Sequence, residues 1–95
     1  MAKKRVKEII ESTISEYGGE PVKQAVLFYL ENVYKIKPEE ALNKPELFVS
    51  ALKEIYGPFE GIIENEICDK IAKEYGIKFK GQGLVKLAEE LKNAD

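Results

Sequence analysis

The amino-acid sequence predicts an all-α fold, a compact bundle of about five short helices in one domain spanning residues 1–95. Three observations carry that expectation. Apolar residues recur at spacings of three and four along most of the chain. No segment sustains the two-residue alternation of a half-buried strand. Glycines and prolines fall between the periodic stretches, where they act as stops and starts.

The first helix is expected over 4–17, with Val6, Ile9, Ile10, Ile14 and Tyr17 on one face, and Gly18-Gly19 ends it. Pro21 opens a second helix over 21–35, because a first-turn proline gives up an N–H that would be unpaired anyway. Its stripe reads Val22, Ala25, Val26, Tyr29, Leu30 and Val33. Leu27 and Tyr34 widen the stripe, which predicts a central helix, while Phe28 lies well off it. Residues 38–43, PEEALN, suit one short helical turn.

Pro45 begins a third helix to Tyr56, with Leu47, Phe48, Ala51, Leu52 and Ile55 inward, and Gly57 closes it. A fourth helix over 58–75 carries Phe59, Ile63, Ile67, Ile71 and Tyr75 every four residues. Such a row drifts around the helix, so this element is expected to touch several neighbours. Gly76 followed by Ile77 matches a left-handed cap with its hydrophobic contact. After the IKFKGQG connection, Leu84, Leu87, Ala88 and Leu91 define a last helix over 83–92.

A chain of 95 residues builds only a modest core. No apolar run approaches the roughly 20 residues of a membrane span. The basic start, MAKKRVKEII, lacks the apolar stretch and cleavage site of a secretory signal. With Cys68 as the one cysteine, no internal disulfide can form, and a cytoplasmic location is expected. The net charge of −2 hides 15 Lys and Arg against 17 Asp and Glu. That enrichment, with few Gln, is typical of thermophile proteins and also of helical proteins generally.

Chemistry is scarce. The absence of histidine removes the usual general base and the usual zinc sets. Cys68 has Glu64, Glu66 and Asp69 nearby, and negative neighbours raise a thiol's pKa. Glu60 and Glu64 share a helix face and have oxygen ligands to offer Mg²⁺ or Ca²⁺, but the surrounding Glu66–Lys70 and Asp69–Lys73 spacings are those of surface ion pairs. No catalytic residue, metal ligand or cofactor is expected, and the chain reads as non-enzymatic. KFKGQGLVK (78–86) has glycines ahead of a helix start, as in an anion cradle, without the P-loop ending or preceding strand.

Two binding readings follow. Surplus apolar groups off the core stripes, Leu27, Phe28 and Val49, suggest a surface for a protein partner or for self-association. A basic set near the two termini, Lys3, Lys4, Arg5, Lys7, Lys78, Lys80 and Lys86, suggests an alternative anion or nucleic-acid patch. The third and fourth helices imitate a helix-turn-helix, but Glu60 and Glu64 at the reading end would repel phosphates.

The stretch 18–67 combines a small-residue turn, KQAVLFYL, PELFVSAL, and IYG before an apolar helix with Ile62, Ile63 and Glu64. It resembles a small helical domain widespread in archaea, the Nitrosopumilus output domain family, over about half the chain. The resemblance implies an archaeal source and an output or adaptor role in signalling or regulation. It brings no catalytic motif.

Overall fold

The computed structural model describes residues 2–94, with the side chains of 5–93. The helical pattern gives α1 (Ala2–Val33), α2 (Pro45–Tyr56), α3 (Glu60–Tyr75) and α4 (Leu84–Ala94), with 3₁₀ turns at Pro38–Glu40 and Gly57–Phe59. No strand occurs among the described residues. Among the described residues the α-helical elements number four, fewer than about five. The expected helices 4–17 and 21–35 meet end to end within α1, broken at Gly19, whose φ of 80° and ψ of −178° are non-helical.

The bend has a local cause. Gly19 occupies positive φ, which costs a side-chain-bearing residue dearly, and Pro21 withholds a backbone donor from the turn below it. The chain folds so tightly here that Val22 lies against Gly18. A Cβ on Gly18 would stand 2.6 Å from the Val22 Cβ. Glycine at 18 is thus a packing requirement as well as a helix breaker.

The second half of α1 stops at Val33, short of the expected residue 35. Lys35 turns left-handed at φ 56°, Ile36 donates its N–H to the Leu30 carbonyl at 3.1 Å, and the Ile36 side chain is fully buried. Burial of Ile36 outweighs the penalty for a non-glycine residue at positive φ. Lys37 then donates its N–H to the Glu40 carboxylate, which fixes the following 3₁₀ turn. The C-terminus of α3 follows the expected pattern. Gly76 is left-handed and Ile77 donates to the Ala72 carbonyl at 2.9 Å, closing the cap with Ile77 packed on the core.

The core forms where α3 packs against α1, α2 and α4. It unites Val6, Ile10 and Ile14 with Phe48 and Leu52, Ile67 and Ile71, and Leu84 and Leu87. The drifting row of α3 makes these contacts possible, because its Ile63, Ile67 and Ile71 are buried while Phe59 and Tyr75 at its ends are exposed. Thr13 is the one fully buried polar side chain among the described residues. It donates to the Ile9 carbonyl at 2.8 Å and accepts from Lys70 of α3 at 3.1 Å.

Candidate interaction surface

The second half of α1 carries apolar residues on more than one side, and only some of them are covered. Val26 and Leu30 are buried, and Leu27 packs partly against the core. On the other side, Val22 is 37% exposed, Val33 56% and Phe28 69%, with Ala25 also exposed. Sequence periodicity assigns Val22, Ala25 and Val33 to the core stripe, and the structure overturns that. It also overturns the expectation of a central helix here, because α3 takes that place. At 100° per residue, Val22, Tyr29 and Val33 cluster on one side over about three turns, and Ala25 lies about 60° from Val22. Phe28 stands about 120° from Val22, with the exposed Asn32 between it and Ala25.

Of the three apolar residues singled out in the sequence, only Phe28 stands open. Leu27 and Val49 are half-buried against the core. Leu47, expected inward, is 43% exposed on α2, and Phe59 and Ile62 project from the start of α3.

Tyr29 borders the exposed face and anchors it to α2. Its hydroxyl and that of Tyr34 both donate to Oε1 of Glu54, Tyr34 at 2.9 Å, and the two rings lie 5.8 Å apart. The shared carboxylate pushes the Tyr29 hydroxyl up to about 12 and raises that of Tyr34 as well. In return, the two hydroxyl donors hold Glu54 below the ordinary carboxylate value.

The proposed anion cradle before α4 is already filled. Oε2 of Glu64 accepts the Leu84 N–H at 2.8 Å, placing the chain's own carboxylate at the helix start. Gly83 leaves room for it, because a Cβ there would come within 3.3 Å of the same oxygen. One turn earlier, Glu60 is only 6% exposed and its Oε2 has no hydrogen-bond partner. Burial first, then its hydrogen bond to Glu64 and the Glu64 charge, push it up to about 7 against the pull of Lys53. Cys68 is fully buried. Desolvation, Glu64 and Glu60 raise its thiol to about 12, so it stays protonated. Among the described residues, no group of three or more His, Cys, Asp or Glu is arranged to hold a metal ion.

The basic set is divided. The side chains of Lys3 and Lys4 lie outside the described residues. Arg5 is paired with both Glu8 and Glu74 at 3.0 Å, and Lys7 with Glu11 at 3.5 Å. The Arg5–Glu74 contact does bring the start of α1 to the end of α3, from which the 77–83 connection departs. Lys78 and Lys80 line a shallow groove there with Ile77, Gln82 and Glu90. With Lys86, which is exposed on α4, they have no ion-pair partner among the described residues.

Comparison with family models, curated proteins and solved structures finds no match to this chain. No described helix is long and apolar enough to cross a membrane.

Sequence reasoning misses two features of these surfaces. The Glu64–Leu84 cap joins residues 20 apart and has no local signal beyond the glycines before α4. The Tyr29–Glu54 anchor spans 25 residues and is equally silent. Phe28, by contrast, is visible from its phase alone.

Proposed function

We propose that this chain is a non-enzymatic interaction module, an output or adaptor domain that binds protein through the exposed face of the second half of α1. The observation that carries this reading is the number of apolar residues left exposed on one short helix: Val22, Ala25, Phe28 and Val33. That helix is tied to α2 by Tyr29 and Glu54. Single exposed apolar residues are ordinary on protein surfaces, whereas several on one helix suit a binding surface. The resemblance of residues 18–67 to an archaeal output domain agrees with this role and includes the KQAVLFYL segment that bears Ala25 and Phe28.

The test compares the tagged wild-type chain with Phe28→Asp in capture of partners from native lysate, with and without nuclease. Loss of a discrete protein in the variant, with circular dichroism unchanged, is the expected result. If fold, oligomeric state and partner binding are all unaltered by Phe28→Asp, this surface has no binding role.

A nucleic-acid role draws support from the three unpaired lysines, Lys78, Lys80 and Lys86. It requires binding that weakens steeply with salt and with joint Lys78→Glu and Lys80→Glu substitution. The exposed apolar residues have no part in that reading.

A further inference from the structure

We infer that Glu60 and Glu64 share one proton that latches α4 onto α3, and that loss of this proton to solvent frees the start of α4 while the rest of the fold stays assembled. The inference is independent of the α1 surface proposed above.

The case begins with two carboxyls in contact. Glu60 and Glu64 lie one turn apart on α3, within hydrogen-bonding reach of each other. Carboxylates only accept, so this contact becomes a hydrogen bond only when one of the two carries a proton. Glu60 is the member placed to carry it. It is 6% exposed and its Oε2 has no partner, whereas Glu64 is partly open to solvent and its Oε2 already accepts the Leu84 N–H at 2.8 Å. The protonated Glu60 thus donates to Glu64, and Glu64 presents its charge to the first turn of α4, where the helix dipole favours an anion. Glu60, Glu64 and the Leu84 N–H form a row that joins the first turns of α3 and α4.

The surrounding groups do little to replace the proton. Lys53 of α2 favours the charged form of Glu60, but with a smaller effect than burial or Glu64. Cys68, one turn beyond Glu64, is fully buried and stays neutral. The buried side chains of α4, Leu84, Leu87 and Ala88, bear no charge. The charged groups of α1 that reach α3 pair with Lys70 and Glu74, more than two turns away from Glu60.

When the proton leaves, two anions face each other and the buried one has no donor. Burial and Glu64 place that loss near pH 7, well above the ordinary glutamate value of 4.5. Relief is open at Glu64, which can turn its carboxylate into solvent and so leave the Leu84 N–H uncapped. The connection lets α4 follow. Residues 77–83 hold no helix or strand, and Gly81 and Gly83 within them both sit at positive φ. The start of α4 then loosens from α2 and α3. The latch is closed in mildly acidic solution and open in mildly alkaline solution.

The experiment is native-state hydrogen exchange of the full chain by NMR at about pH 5.5 and about pH 8, with rates corrected for the intrinsic pH dependence of exchange. Expected is a fall of about five- to thirty-fold in the protection of Leu87 and Ala88 relative to Ile67 and Ile71 at the higher pH, the loss of one helix cap. In Glu60→Gln the side-chain amide keeps a donor for Glu64 at every pH, so the relative protection of α4 should be the same at both. The carboxyl carbon of Glu60, followed in isotope-labelled wild type, should titrate near neutral pH and shift that of Glu64 with it. A Glu60 carboxyl that titrates at the ordinary glutamate value overturns the inference. So does relative protection of α4 that is indifferent to pH, or a fall that persists undiminished in Glu60→Gln. Should Glu60→Gln fail to fold, the two wild-type readings decide by themselves.

Discussion

In the first half of α1, Val6, Ile9, Ile10 and Ile14 are all buried, whereas the second half, richer in apolar residues, buries only Val26 and Leu30. The first half lies along α3, tied to it by Arg5–Glu74 and by Lys70, which reaches both Thr13 and Glu16. The second half meets the rest of the molecule through Val26, Leu27 and Leu30, through the tyrosines on Glu54 and through the buried Ile36 beyond its end. Apolar content does not decide which helix is central. The neighbours available to cover its faces do, and α2 and α3 each pack against the other three helices.

The largest test of this contrast is truncation in each half. Ile10→Ala is expected to cost about 2–5 kcal/mol in urea unfolding, while Phe28→Ala changes monomer stability by less than about 0.5 kcal/mol. Comparable losses would mean that the second half is covered after all.

The bend between the halves can be probed with two glycines. Gly18→Ala drives a methyl into Val22 and is expected to destabilise by about 1–3 kcal/mol, although alanine is the better helix former. Gly61→Ala, in α3 with nothing within 4 Å of the new Cβ, is expected to gain about 0.4–1 kcal/mol. Thermal melts of the two variants should move in opposite directions.

Two carboxylates extend the comparison to pH. Glu60 holds its proton more tightly in the folded state, so its contribution is full below the ordinary glutamate value of 4.5. That contribution is lost as pH rises to about 7 and beyond. Glu60→Gln should flatten that slope and raise stability at pH 8 by on the order of 1–2 kcal/mol, with little change at pH 4. Glu54 has the opposite sign. Its folded value is depressed, so its support is present above the ordinary carboxylate value and fades as pH falls through the folded one. Glu54→Gln should therefore give the smallest effect, a slight loss at neutral pH that vanishes in acid. A Glu54→Gln melt unchanged at neutral pH would show that the tyrosine anchor contributes nothing.

Much of the fold is legible because its punctuation is local. Gly18-Gly19 and Pro21, Pro45, Gly57 and Gly76 each act on the turn they occupy, and their positions foretell where helical geometry breaks. Depth is harder to read. Val22, Ala25 and Val33 have the spacing of a core stripe, and an uncovered stripe has the same spacing as a buried one. Ile36 gave no periodic signal, being a single apolar residue among lysines, yet it is fully buried because the chain reverses there. Phe28 could be picked out because it lies off the stripe that Val26 and Leu30 define. The charge state of Glu60 could not, since it depends chiefly on burial, with Lys53 of α2 acting against Glu64.

The carboxylate of Glu64 at the start of α4 also bears on the order in which the chain assembles. The Leu84 N–H finds its acceptor on a residue in the second turn of α3, so the first turn of α4 has no complete set of partners until α3 exists. A short helix of this length is marginal on its own. Formation of α4 is thus expected to follow that of α3, and in native-state hydrogen exchange its amides should open as a separate unit at lower free energy than those around Ile67 and Ile71.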